Sequence, residues 1–165
     1  MPMIDFIVQP VAELLMSKGV DGIQNTAKFK HSQKAIRQAI FREMQFNQQL
    51  LNEATNNQED VELRKCLAEE FSFSAFEKIE DSFIPVDLYF LHEVTFEKER
   101  DETFKERVKN IHNEADLITR CYLRLKVIRA RWRSGQPYQQ GSIDYADKLM
   151  RAWFRECTAD FPKRK

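Results

Sequence analysis

The sequence predicts an all-α fold, a single-domain bundle of five to six helices with one long helix near residues 101–134. Three observations favour this class. The 165 residues include only 4 glycines and 5 prolines, too few for a fold rich in strands and tight turns. No stretch alternates apolar and polar residues over a useful strand length. Several stretches instead repeat apolar residues at intervals of three or four, which is the period of an α-helix.

The first half of the chain predicts four helices, or three if the start at Ser74 is only a kink in one longer helix. Residues 1–18 form an apolar helix that Gly19 ends, because glycine readily takes the conformation that follows a helix. Residues 30–55 and 59–71 form the next two helices. A further helix begins at Ser74, where "SAFE" matches a capping box of serine and glutamate. A hydrophobic content of 42% is enough for one core over residues 1–165.

The second half carries the clearest period. A helix starts near Pro85 and presents Leu88, Tyr89, Leu91 and Phe96 on its inner face. The long helix near 101–134 ends at Ser134 and Gly135, and Ser142 caps the last helix. Residues 160–165 form a basic frayed tail. The apolar row that predicts the long helix consists of Phe104, Val108, Ile111, Ala115, Ile118, Tyr122 and Leu125.

Composition and cysteine usage limit the class of protein. No apolar run approaches the roughly 20 residues that span a bilayer, and no basic region precedes the N-terminal segment as in a signal peptide. Cys66, Cys121 and Cys157 are far apart and lack metal-ligand spacing, which is typical of reduced thiols. Cys66 and Cys157 lie on apolar helical faces, as core cysteines do. We therefore expect a cytoplasmic protein.

Two polar residues interrupt the apolar face of the second helix. Glu43 and Asn47 fall in one narrow arc with its apolar residues, so they have partners or face a cleft. The candidate partners are Tyr122 and Arg129 on the long helix, and His92 and Glu93 on the helix before it. A buried network that sets helix register and a ligand-facing cleft are both consistent with this pattern. A bundle metal site is disfavoured, since E-x-x-H does not occur, and no cofactor is expected.

The distribution of charge along the chain favours either a surface for an anionic partner or pairing of charges within the fold. Net charge is zero, but residues 1–100 hold 11 Lys/Arg against 17 Asp/Glu, and residues 101–165 hold 15 against 9. Guanidinium groups pair with phosphate and an exposed aromatic ring can stack on a base, so a nucleic-acid partner is one reading. Docking of the acidic segment 69–81 against this face is the other. The face that could meet an anionic partner comprises Arg120, Arg124, Arg131, Arg133 and Trp132.

The stretch "RVKNIH" places Arg107 and His112 five residues apart. This spacing resembles the R-x4-6-H motif of HEPN ribonucleases, which are all-α and usually dimeric. The resemblance covers six residues and departs from the family pattern at Val108, where a polar residue is usual. It implies that His112 transfers protons and that Arg107 stabilises the charge of the transition state.

These patterns favour a non-enzymatic helical-bundle protein that binds another macromolecule, most simply a protein or a second copy of itself. No phosphate-binding glycine loop, G-x-S-x-G or H-E-x-x-H occurs. The alternatives are a ribonuclease that uses Arg107 and His112, and binding of RNA or another anionic surface by the arginine face. Membrane association through residues 3–16 is less favoured. A homodimer is expected because the predicted long helix exceeds the span of a compact bundle of this size.

Overall fold

The computed structural model describes residues 26–82 and 84–157, with side chains through residue 155. Within these ranges the chain is all-α, as predicted, and each helix contributes buried residues to one hydrophobic core. Six α-helices and one 3-10 turn follow in order: α1 (Ala27–Asn56), α2 (Val61–Glu70), α3 (Ser74–Asp81), the 3-10 turn (Val86–Leu88), α4 (Glu102–Val108), α5 (Glu114–Arg133) and α6 (Gln140–Cys157).

Helix α1 is the longest described helix, with 30 residues and a length of about 45 Å. Thr26 starts it, because the threonine side chain accepts a hydrogen bond from Phe29 N at 3.2 Å. One face of α1 packs against α6, α2 and α3. Its predicted apolar row is buried, namely Ile36, Ile40, Leu50, Leu51 and Ala54.

Helix α5 occupies the centre of the described fold and packs against α6, α2 and the 3-10 turn. Its end is as predicted. Ser134 follows the last helical residue, and Gly135 has a positive φ of 69°, a conformation that suits glycine after a helix. Helix α6 begins at Gln140, so Ser142 lies inside it and does not cap it.

The predicted continuous helix near 101–134 is wrong, since α4 and α5 share this segment with five residues between them. The backbone of the interval makes one local hydrogen bond, from Ile111 N to Val108 O at 2.8 Å, and its second half pairs with an earlier segment of the chain. Val94 N donates to His112 O at 3.0 Å, and Glu114 N donates to His92 O at 2.9 Å. These long-range hydrogen bonds replace the helical bonds that a continuous helix would make there.

The start of α5 is set locally. The Asn113 side chain accepts a hydrogen bond from Asp116 N at 2.8 Å, so this asparagine caps the new helix. The predicted apolar row is buried although the chain is not helical between α4 and α5, because both helices pack this row against the same core. The row consists of Phe104, Val108, Ile111, Ala115, Ile118, Tyr122 and Leu125, and all of these are buried.

The helix predicted to begin near Pro85 is also wrong. Only the short 3-10 turn follows this proline, and residues 89–100 form no helix. The reason is again the pairing with residues 112–114, which holds the backbone of His92 and Val94 extended. Side chains that were predicted to share one inner helical face therefore differ in burial. Leu91 is exposed, whereas Tyr89 is buried.

Three predictions concern the chain's ends and its cysteines. The helix over 1–18 and the tail over 160–165 lie outside the described residues, and so does the side chain of Cys157. Cys121 is buried, but Cys66 is exposed, so its predicted place in the core is wrong. In the described part of the chain, no helix has both the length and the apolar character needed to cross a membrane.

Candidate interaction surface

Glu43 lies in the middle of α1 and only 7% of it is exposed. Its Oε1 accepts a 2.6 Å hydrogen bond from Tyr122 Oη, and its Oε2 accepts one of 2.8 Å from Ser72 Oγ. No described lysine, arginine or histidine forms an ion pair with this carboxylate, so hydrogen-bond donors alone compensate its burial. Burial and, next, the adjacent carboxylate raise the pKa of Tyr122 well above its ordinary value.

The same carboxylate caps a neighbouring helix. Ala75 N and Phe76 N, at the start of α3, donate to Glu43 at 2.9 and 3.4 Å. Helix α3 begins at Ser74 as predicted, but the predicted capping box with Glu77 is wrong. The serine hydroxyl donates to Glu43 Oε2 at 3.2 Å instead. A carboxylate from α1 thus binds the free backbone amides of α3 and complements its dipole.

Asn47 lies one turn beyond Glu43 and is fully buried. Its Nδ2 donates to Ser72 O at 2.7 Å, and Ser72 N donates to its Oδ1 at 2.9 Å. The asparagine amide therefore satisfies both backbone groups of one residue in the turn between α2 and α3. Glu43, Asn47 and Tyr122, three of the residues predicted for a polar core or cleft, meet at this turn.

An open groove of about 620 Å³ passes beside this network. Its lining includes Phe46, Phe71, Ser74 and Arg129, and Phe46 is exposed. The network offers a ligand in this groove few hydrogen-bond acceptors, because each carboxylate oxygen of Glu43 already accepts hydrogen bonds from the protein. We therefore assign the network to the packing of α1, α3 and α5.

His92 and Glu93 do not join this network. Both are exposed, because the helix that would have turned them inward is absent. His92 Nδ1 instead lies 3.3 Å from Glu114 Oε2, at the first residue of α5. The Glu93 backbone pairs with Asn113 in an isolated bridge.

A second buried polar cluster has Glu114 at its centre and was not predicted. Arg37 Nη1 and Nη2 donate to the two Glu114 carboxylate oxygens at 2.7 and 2.9 Å, and both side chains are buried. Trp153 Nε1 donates to Glu114 Oε1 at 3.1 Å. The available sequence signal was Arg37 beside the apolar Ile36. The sequence does not identify Glu114 as the partner of Arg37, because helical period does not show which helices pack together.

Some of the cations on the predicted arginine face of α5 form ion pairs within the fold. Arg133 donates to Glu69 at 2.5 Å, and Lys126 Nζ lies 3.4 and 3.6 Å from carboxylate oxygens of Glu77 and Glu80. The acidic segment 69–81 therefore docks against α5, which is one of the two readings of its charge. These cations are compensated within the protein.

Two further members of that face pack on aromatic rings. Trp132 is 3% exposed and its ring centroid lies 5.5 Å from that of Phe71, so the expected exposed stacking platform is wrong. The Arg124 guanidinium lies over the Tyr145 ring, 5.1 Å from its centroid. Trp132 therefore packs on the residue that follows α2, Arg124 packs on α6, and Trp132 is unavailable to a base.

The outer face of α5 combines exposed apolar and cationic side chains. Leu123 is 58% exposed and Val127 is 41% exposed. Arg120 precedes this pair by one turn, Arg131 follows it by one turn, and neither forms an ion pair with a described residue. We refer to Arg120, Leu123, Val127 and Arg131 as the α5 outer face.

Arg107 and His112 do not share a helical face. Helix α4 ends at Val108, and His112 lies in the extended interval before α5. The Arg107 guanidinium lies over the Tyr145 ring, 5.6 Å from its centroid, while His112 is exposed and its carbonyl accepts from Val94 N. Both residues fall within the helix predicted near 101–134, and their placement on one helix is therefore wrong.

Metal-binding geometry and similarity to other proteins add no further site. Within residues 26–82 and 84–155, no group of three or more His, Cys, Asp or Glu side chains is placed to hold a metal ion. No family model, curated protein or solved structure matches this chain.

Proposed function

We propose that this protein is a non-enzymatic interaction protein that binds another protein through the α5 outer face. One observation carries the proposal: Leu123 and Val127, two large apolar side chains one turn apart, remain exposed at the surface of an otherwise well-packed helix. Single exposed apolar residues are ordinary, but adjacent ones on a rigid helix form a contact patch.

Burial of this patch would supply binding free energy. Full burial of an exposed leucine or valine side chain contributes about 1.5–3 kcal/mol. Because Leu123 and Val127 are 58% and 41% exposed, roughly half of that remains to be gained from each. Because α5 is held on its inner side by α2 and α6, its outer face is presented without a cost for ordering the helix. A preformed helical face of this kind suits helix-in-groove or helix-on-helix recognition.

A protein partner fits this face better than RNA does. Binding of single-stranded RNA relies on exposed aromatic rings and on free cations along the backbone path. Here Trp132 is buried, Arg133 is paired with Glu69, and the middle of the face is aliphatic. Aliphatic side chains between two arginines match a protein surface, since arginine is enriched in protein interfaces.

Site-specific photo-crosslinking tests the proposal. A benzophenone amino acid replaces Leu123, Val127 or, as the control, the exposed Gln49 of α1, and the full chain is irradiated in its native cells. We expect an adduct with one other protein from positions 123 and 127 and not from 49. The purified partner should bind the wild type, and Leu123→Glu should weaken its binding at least tenfold while Gln49→Glu does not.

Several results would overturn this function. An adduct only with a second copy of the chain would show self-association, and a nuclease-sensitive adduct would show nucleic-acid binding. The absence of any adduct specific to positions 123 and 127 would show that the α5 outer face does not bind a partner. Cleavage of RNA by the purified protein that His112→Ala abolishes would establish the ribonuclease alternative.

A further inference from the structure

We infer that the partner presents an acidic amphipathic α-helix to the α5 outer face, with two carboxylates that flank a pair of apolar side chains. This inference rests on the proposed function and specifies the chemistry of the partner.

The four residues form one stripe. At about 100° per residue, Arg120, Leu123, Val127 and Arg131 fall within an arc of about 80°. The two arginine Cα atoms are separated by about 16 Å along the helix axis, which is three turns. The stripe therefore presents one cation, two apolar side chains and a second cation in a line.

Pairing within the fold leaves these two arginines available. On the same helix, Arg133 pairs with Glu69, Lys126 lies near Glu77, and Arg129 Nε donates to Ala68 O. By contrast, Arg120 and Arg131 have no ion-pair partner in the part of the chain that the structure describes. Asp116 lies one turn before Arg120 on the same arc and forms no ion pair with it. With this carboxylate counted, the two arginines still leave the stripe a net positive charge.

The complementary surface follows from helix geometry. A helix laid along α5 meets the apolar pair with residues three or four apart, and it meets the two arginines with residues about eleven apart. Carboxylates at those outer positions would pair with the guanidinium groups, often with two hydrogen bonds each. The apolar contacts supply most of the affinity, and the flanking charges select the partner and its orientation.

A second copy of this chain does not meet these requirements. In a two-fold contact centred on the Leu123 and Val127 pair, antiparallel helices place Arg120 of one copy beside Arg131 of the other. Parallel helices place each arginine beside its own counterpart. Both arrangements bring like charges together, which disfavours a homodimer through this face.

Two designed helical peptides test the inference. They share a central pair of leucines, and they carry either glutamates or lysines at the two flanking positions. Fluorescence anisotropy with the full chain measures their binding at low and physiological salt. We expect the glutamate peptide to bind at least tenfold more tightly than the lysine peptide, with a smaller difference at higher salt.

Charge-reversal variants supply the matched controls. Arg120→Glu combined with Arg131→Glu should reverse the peptide preference. Lys28→Glu combined with Lys34→Glu changes the net charge equally on α1 and should leave the preference unchanged. Circular dichroism checks that both double variants are folded.

Three outcomes would overturn the inference. They are equal binding of both peptides, no binding of either at millimolar concentration, and a glutamate preference that persists in the Arg120→Glu, Arg131→Glu protein. The crosslinking experiment separates this failure from failure of the proposed function. If the partner crosslinks to position 123 through a segment that has no flanking acidic residues, the proposed function holds and the inferred acidic helix is disproved.

Discussion

The Tyr122 hydroxyl donates a 2.6 Å hydrogen bond to the Glu43 carboxylate, and this bond joins the middle of α5 to the middle of α1. The same carboxylate accepts from Ala75 N and so caps α3 as well. One buried side chain therefore sets the relative positions of three helices. This geometry explains why a carboxylate occupies an otherwise apolar helical face.

We expect Glu43→Gln to lower the free energy of unfolding by about 2–3 kcal/mol. Hydrogen bonds to a charged group contribute about 1.5–3 kcal/mol and those between neutral groups about 1 kcal/mol, and the amide nitrogen cannot accept. Urea denaturation measures the change. In a double-mutant cycle with Tyr122→Phe, the coupling energy should exceed about 1 kcal/mol.

Glu53→Gln provides the control for this cycle, because Glu53 is exposed on the same helix. Its replacement should change stability by no more than about 0.5 kcal/mol. Equal effects of the substitutions at residues 43 and 53, or additivity of Glu43→Gln and Tyr122→Phe, would contradict a shared buried network.

We expect Asn47→Leu to destabilise the protein by more than about 2 kcal/mol. From the sequence alone, this change would be neutral or stabilising if the surrounding groups could relax. The structure indicates otherwise, because leucine would leave both the N–H and the C=O of Ser72 without their present partners. Thermal and urea unfolding measure the effect, and a variant as stable as the wild type would disprove the tight amide contact.

The Arg37–Glu114 ion pair gives a third prediction. Arg37→Met alone should cost about 3–5 kcal/mol, because it leaves a buried carboxylate without its cation. Adding Glu114→Gln should recover part of this loss, since the amide carries no charge and can still accept from Trp153. Urea denaturation of the two single variants and the double variant tests this. A double variant less stable than both single variants would contradict the pairing.

Alkaline pH should destabilise the fold. Burial raises the pKa values of Tyr89, Tyr122 and the Cys121 thiol, so these groups keep their protons in the folded state. The unfolded chain loses them above about pH 8.5 for the thiol and about pH 10 for the phenols. Their contribution is therefore complete below those values and declines as pH rises, as urea denaturation between pH 7 and pH 10.5 would show.

The two buried tyrosines should respond differently to replacement by phenylalanine. Tyr122→Phe removes a hydrogen bond to Glu43, whereas the Tyr89 hydroxyl is buried with no hydrogen-bond partner in the described part of the chain. Tyr89→Phe should therefore leave stability at pH 7 unchanged or higher and reduce its alkaline loss. A large destabilisation by Tyr89→Phe at pH 7 would contradict this assignment.

The sequence by itself determined the helical class and several local features. The spacing of apolar residues located α1 and the buried row from Phe104 to Leu125, and it placed Glu43 and Asn47 on an inward face. The end of α5 at Gly135 was also predictable, because a glycine with positive φ is a local preference of the backbone. Helical period and backbone preference depend on residues close together in the chain, so sequence reasoning can detect them.

Tertiary structure decided where a helical pattern is interrupted and which charges meet. The break before α5 depends on backbone pairing with His92 and Val94, about twenty residues away in the chain. The partner of Glu114 is Arg37, on a helix far earlier in the sequence. Likewise, the acidic segment compensates Arg133, whereas Arg120 and Arg131 form no ion pair with any residue that the structure describes. The physical reason is that backbone pairing between distant segments and the compensation of charge both depend on which elements pack together. The helical period of a sequence does not specify those neighbours.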